Sequence, residues 1–252
     1  MAIWAIVPAA GSGKRMAGDR PKQYLSLNGR PVIAHTLDRL AGIDAISRLI
    51  VPVSTDDEYW PQLQLENPQK ILRCEGGAER SLSVLNGLTQ LSALAQEDDW
   101  VLVHDAVRPC ISIADIQRLL AAIATHPVGG LLGIPVSSTL KRIDASGNVA
   151  STIDRSGVWM AATPQIFRYG LLRRALLQAC KEAVSVTDEA GALEHAGFAP
   201  LLLSGRGDNI KITYPEDLEL AALILMAQDA ENEGGSKLSM PPETITTQGH
   251  RH

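Results

Sequence analysis

Ile3-Trp4-Ala5-Ile6-Val7-Pro8-Ala9-Ala10-Gly11-Ser12-Gly13-Lys14-Arg15-Met16 is the stretch on which the fold is read. Its first five residues form a short apolar run without polar alternation, the pattern of a strand covered on both faces. The run ends in small residues and two cations. In an open α/β sheet a ligand sits beyond the carboxyl ends of the strands. Small residues there let backbone N–H groups approach phosphate oxygens, and cationic side chains complete the cradle.

The same alternation continues along the chain. Short apolar runs at 49–53, 71–74, 100–103, 130–134 and 201–203 predict further strands. Between and after them, periodic runs at 32–41, 56–65, 79–94, 113–124, 171–183, 188–196 and 216–229 predict helices, with starts suggested by Pro31, Pro215 and the region of Asp115. The order predicts an α/β fold, a mostly parallel open sheet with helices on both faces. One stretch departs from it. Thr139-Leu140-Lys141-Arg142-Ile143 alternates, Asp144-Ala145-Ser146-Gly147-Asn148 supplies turn residues, and a second run follows at 149–153, so a protruding β-hairpin is expected within 136–160. A lone hairpin is marginal in water, and either its own domain or a second subunit could cover it. Residues 1–230 are expected to form a single domain, and the polar segment 231–252 a disordered tail.

Composition narrows the function classes. A formal net charge of −5 over 252 residues argues against general binding to nucleic acid or anionic membrane, so any anion site must come from local clustering of Lys and Arg. No apolar run reaches the ~18 residues of a membrane helix. Cys74, Cys110 and Cys180 lack the spacing of a zinc site or a disulfide framework, which fits a reducing cytoplasm. Nothing ahead of the first strand reads as a signal or transit peptide.

The first loop matches neither familiar phosphate fingerprint. A P-loop would place Gly at position 8, where Pro8 stands, and a hydroxyl after Lys14, where Arg15 stands. The dinucleotide motif would need a third Gly, but Gly11-x-Gly13 is followed by Met16. Yet Lys14, Arg15, Arg20 and Lys22 put four cations beside one glycine loop in an acidic protein. Further along come Glu75-Gly76-Gly77-Ala78-Glu79-Arg80-Ser81-Leu82-Ser83 opening a helix, and Val103-His104-Asp105-Ala106-Val107-Arg108-Pro109 closing a strand. Asp154-Arg155 follows the hairpin, Thr187-Asp188-Glu189 opens another helix, and Asp208-Asn209-Ile210-Lys211-Ile212-Thr213 precedes the last. His104, at a strand end, reads as structural.

The opening loop with Pro21-Lys22-Gln23 resembles the nucleotidyltransferases that make sugar nucleotides. The whole ordered set, over about residues 3–228, resembles the 2-C-methyl-D-erythritol 4-phosphate cytidylyltransferase family of the non-mevalonate isoprenoid pathway. The resemblance implies transfer of a cytidylyl group from CTP to that polyol phosphate, with release of pyrophosphate. It implies that Pro8, Ala9, Ala10, Gly11, Ser12, Gly13, Lys22, Gly76, Gly77, Arg80, Ser83, Asp105 and Ala106 hold CTP. Arg15 and Lys22 would stabilise the transition state at the α-phosphate, with Lys211 on the phosphates. Asp105, Arg108, Thr139, Arg155, Thr187 and Lys211 would bind the acceptor, and Asp105 would lie by Mg2+ or another divalent ion. The hairpin would be a homodimer arm that puts Thr139 and Arg155 into the partner's site. Ala78 stands where some relatives carry an acidic residue. Two readings compete. A ribitol 5-phosphate cytidylyltransferase would share the nucleotide half, and a nucleotide-sensing module would keep the fold without Arg15 or Lys22. A fused cyclase is not expected from the length.

Overall fold

The computed structural model describes residues 1–11 and 20–233. Seven strands form one sheet: β1 (Ile3–Ile6), β4 (Ile46–Val53), β5 (Ile71–Glu75), β6 (Trp100–Val103), β7 (Gly129–Pro135), β10 (Trp159–Arg168) and β11 (Leu201–Ser204), in the order β11-β7-β10-β6-β1-β4-β5. All run parallel except β10, which is antiparallel to both β6 and β7. Two small sheets stand apart: β2 (Ser26–Leu27) with β3 (Arg30–Pro31), and β8 (Leu140–Ile143) with β9 (Val149–Ile153).

Alternation along the strands divides the interior. From β1, Ala5 points to one face with Ile33, Leu37 and Leu40 of α1 (Val32–Ala41) and Ile116, Leu119 and Ile123 of α3 (Ile113–Ile123). Trp4 and Ile6 point to the other, packing with α2 (Arg80–Gln90), α4 (Tyr169–Lys181) and α5 (Glu189–His195). The predicted two-faced packing is thus present. The helices bear their apolar residues at three- and four-residue spacing, so each buries one stripe. Ser112 caps α3 by accepting the Asp115 N–H at 3.1 Å, and Asp188 caps α5 through the Gly191 N–H at 2.9 Å. The last helix, α6 (Glu216–Glu233), packs with the β2–β3 hairpin in a third cluster.

One expectation needs correction, and one strand was not foreseen. The helix predicted at 56–65 is absent; only a 3-10 turn at Trp60–Gln62 forms. The Asp57 carboxylate accepts the N–H groups of Tyr59 and Trp60 at 3.0 and 2.9 Å, and its other oxygen takes the Tyr24 hydroxyl at 2.7 Å. That side chain competes with helical bonding, and Pro61 removes one donor. β10 was not predicted. Pro164 interrupts its pattern, and its register with β7 shifts between Ala161 and Gln165. Within the segment expected as a tail, α6 covers 231–233, up to the last described residue. The remainder of the expected tail lies outside the described residues.

Candidate active site

A cleft of about 400 Å³ opens where the sheet's carboxyl ends meet the first loop. Its floor follows from backbone pairing. The Val7 and Ala9 N–H groups donate to Ile50 and Pro52 carbonyls at 2.9 and 2.8 Å, so the loop continues β1 alongside β4. Gly76 N–H donates to the Val53 carbonyl at 2.7 Å, which brings the second glycine turn against the first. A Cβ on Gly76 would lie 2.3 Å from the Ala10 Cβ, so the two turns touch only because this position has no side chain. Gly77 then donates to the Ser83 hydroxyl at 3.0 Å as α2 begins.

Charge is concentrated around Asp105. Asp105, at the end of β6, is 6% exposed and meets three cations: Arg80 Nε at 3.0 Å, Lys211 Nζ at 2.9 Å and Arg108 Nε at 3.4 Å. Burial works to raise its pKa, but Arg80, Lys211 and Arg108 together hold it well below the usual carboxylate range. Arg80 is in turn forked onto the buried Glu189 of α5 at 2.7 and 3.1 Å. Burial holds the Glu189 carboxyl above its ordinary range although Arg80 pulls the other way. Burial likewise opposes the Arg80 charge, and Glu189 and Asp105 outweigh it. Asp105, Glu189 and the cleft-lining Glu79 set three carboxylates against Arg80, Arg108 and Lys211, so the net positive charge facing the cleft comes from Lys22. Lys22 lines the same cleft and donates to the Ile212 carbonyl at 3.3 Å.

His104 lies behind this cluster, fully buried. Its Nε2 lies 3.0 Å from the Arg108 carbonyl, which can only accept, so Nε2 carries the proton. Nδ1 therefore accepts from the Thr163 hydroxyl at 3.1 Å, whose oxygen takes the Asp105 N–H at 3.0 Å. Burial drives its pKa down to about 4. The imidazole is a neutral strut for the Asp105 segment, as its position at a strand end suggested, and neither nitrogen is available as a base.

Pro8, Ala9, Ala10, Gly11, Lys22, Gly77, Arg80, Ser83, Asp105, Ala106 and Lys211 all line the cleft, together with Ala78. Gly76 supports it from below, and Arg108 reaches it through Asp105. Ser12, Gly13 and Arg15 lie outside the described residues. Thr139 and Arg155 do not line this cleft; both are exposed at the base of the β8–β9 hairpin, where Arg155 donates to the Ser137 carbonyl. Thr187 is exposed two residues before Glu189. Three supporting residues escaped sequence reasoning although each sits inside a quoted motif: Gln23, Glu189 and Asn209. Glu189 carried one usable signal, an acidic residue in the first turn of a helix, but its partner Arg80 is 109 positions away.

The chain is similar to known proteins over most of its length. A family model described as 2-C-methyl-D-erythritol 4-phosphate cytidylyltransferase matches residues 3–227. Among curated relatives, the 2-C-methyl-D-erythritol 4-phosphate cytidylyltransferase of Pseudomonas fluorescens is 54% identical over 86% of this chain and 93% of its own. That of Pseudomonas aeruginosa is 55% identical with the same coverage. Among solved structures, the Francisella tularensis enzyme of the same name superposes with a TM-score of 0.78 at 34% identity, covering 89% of this chain and 100% of that one. A 4-diphosphocytidyl-2C-methyl-D-erythritol synthase reaches 0.77 at 36% identity, covering 89% and 98%.

Proposed function

The chain belongs to the 2-C-methyl-D-erythritol 4-phosphate cytidylyltransferase family, and from that premise we propose how its own residues perform the transfer. The enzyme moves a cytidylyl group from CTP to 2-C-methyl-D-erythritol 4-phosphate, giving 4-diphosphocytidyl-2-C-methyl-D-erythritol and pyrophosphate in the non-mevalonate isoprenoid pathway. The observation that carries the site assignment is the convergence of Lys22, Arg80 and Lys211 with two apposed small-residue turns in one cleft of an otherwise acidic protein.

The acceptor supplies its own nucleophile. A phosphate monoester has a second pKa of about 6, so it is largely a dianion at neutral pH. Its oxygen attacks the α-phosphorus of CTP, the bond to the bridging oxygen breaks, and pyrophosphate departs with the electron pair. No general base is needed, which accords with a His104 already committed on both nitrogens. The obstacle is charge, and fixed cations are the remedy phosphoryl-transfer sites use. The turns at Pro8–Gly11 and Gly76–Ser83 would hold the nucleotide, with Ser12 and Gly13 continuing the first. Lys22 and Arg15 would meet the charge that builds at the α-phosphate, and Lys211 would follow the phosphates.

A bound Mg2+ would draw on few protein ligands here. Among the described residues no group of three or more His, Cys, Asp or Glu could cage a metal. Magnesium commonly binds through one or two carboxylates plus substrate phosphates. Asp105 would be that carboxylate, and the ion when bound would neutralise charge on the triphosphate.

The acceptor subsite would be completed by Thr187 and Arg108 from one subunit and Thr139 and Arg155 from the hairpin of another. Support comes from the hairpin residues not lining their own cleft and from its exposed Ile143 and Val149, 64% and 62% accessible. On this reading the protein is a homodimer. Replacing Arg155 by Ala should raise KM for the acceptor by about 10–100-fold, the worth of a charge-assisted bond to phosphate. CTP affinity should stay nearly constant. Loss of both together, measured by titrating each substrate, would point to failed assembly instead. A cytoplasmic location is inferred from three free thiols, with burial pushing Cys74 up to about 11 and Cys110 up to about 12. No helix among the described residues is long and apolar enough to cross a membrane.

The direct test is pyrophosphate release from purified protein with CTP and Mg2+, offering 2-C-methyl-D-erythritol 4-phosphate and ribitol 5-phosphate separately. Release with the first alone is expected. Release with the second alone would overturn the acceptor, and silence with both would favour a nucleotide-sensing module.

A further inference from the structure

Gln23 is a neutral side chain, 4% exposed, on the 3-10 turn Lys22–Tyr24. Its amide nitrogen donates twice into the nucleotide loop, to the Ala9 carbonyl at 2.8 Å and to the Gly11 carbonyl at 3.1 Å. Its chain neighbour Lys22 faces the cleft. On the far side of the same turn the Tyr24 hydroxyl is held by Asp57 at 2.7 Å, and the Tyr24 ring stacks on Tyr59 with centroids 5.1 Å apart. The turn is therefore fastened at both ends, and the fastening nearest the chemistry is Gln23.

We propose that Gln23 is a positioning residue that locks the nucleotide loop to the turn bearing Lys22, so that the ammonium and the triphosphate cradle move as one body. Two geometric facts carry this. A trans peptide sets its C=O and N–H in opposite directions, so gripping the Ala9 carbonyl directs the Ala10 N–H away from Gln23. The Ala9 N–H is already spent on Pro52 at 2.8 Å, so the peptide planes on both sides of Ala9 are held. Only a donor serves here. Glu has the same shape but would set oxygens against two carbonyl oxygens, and Met has the length without a donor.

The inference rests on the assignment of Lys22 to the transition state, and the test separates the two. Gln23→Met should lower kcat/KM for CTP by about 10²-fold, the cost of a misplacement near 1 Å, with KM for the acceptor unchanged. Gln23→Glu should lose at least as much. Because Gln23 acts through Lys22, the double variant with Lys22→Ala should lose less than the product of the two single losses. Rates are referred to folded protein by circular dichroism, and Gln23→Asn, which keeps the donors on a shorter stem, gives the same cycle should Gln23→Met not fold. Parent-like kinetics in both Gln23→Met and Gln23→Glu, fully multiplicative losses, or an equal rise in both KM values would overturn the proposal. Parent-like kcat in Lys22→Ala alone would instead overturn the assignment beneath it.

Discussion

Lys22→Ala should lower kcat by about 10²–10³-fold, equivalent to about 3–4 kcal/mol of transition-state stabilisation, while KM for CTP changes far less. The asymmetry follows from where the charge is. In the ground state the triphosphate meets a whole field of cations, and Arg80, Arg108 and Lys211 remain around Asp105 when Lys22 is gone. In the transition state negative charge grows between the α-phosphorus and the departing pyrophosphate, and the remaining cations, already paired with Asp105 and Glu189, do not replace the missing point charge there. Arg15→Ala should behave alike, since a guanidinium fork can bridge two phosphate oxygens at once. Steady-state pyrophosphate release over a CTP series separates the two parameters. An unchanged kcat, or a loss confined to KM, would remove either residue from the chemistry.

Acid should destabilise the protein through His104 as pH falls below the ordinary imidazole range. The imidazole pKa is about 4 in the folded chain against an ordinary 6.5. Below 6.5 the unfolded chain takes a proton that the folded chain refuses, so stability falls as pH falls, until both forms are protonated below about 4. Above 6.5 both are neutral and the effect is absent. Across the window the loss amounts to about 3 kcal/mol. Urea unfolding at pH 7.5 and 5 should show a steeper decline for the parent than for His104→Gln, whatever the variant costs at pH 7.5. The other five histidines and all carboxylates are common to both proteins and cancel in the comparison. Equal declines would mean that the proton reaches His104 without penalty.

Much of this site was legible from local sequence because its parts are local. A strand that ends in Pro8-Ala9-Ala10-Gly11 announces a backbone-lined cradle, and Gly76-Gly77 before a helix announces another. Illegible from one sequence were the contacts made across it. Arg80 meets Glu189, Arg108 meets the Asn209 carbonyl at 2.8 Å, and Thr163 meets His104, each pair far apart in the chain. β10 was missed for a different reason. A proline inside an apolar run normally demotes a strand to an edge, whereas here Pro164 sits at a register shift that lets the strand occupy the middle of the sheet. The error at 56–65 had the opposite origin. Its periodicity was real, but the Asp57 side chain satisfies the backbone donors that a helix would have used.

The placement of β10 has a consequence for how such an enzyme can diversify. β7 leaves the sheet and β10 returns to it as its direct neighbour, with Pro135 opposite Trp159 and the Val136 N–H donating to the Val158 carbonyl at 3.1 Å. Everything between those two points is a closed cassette whose ends are a single hydrogen bond apart. It can lengthen, shorten or be exchanged without changing the register of a single pair in the main sheet, and without disturbing the cleft at the ends of β1 and β6. If the hairpin carries acceptor preference and subunit pairing as proposed, both would evolve independently of the nucleotide half.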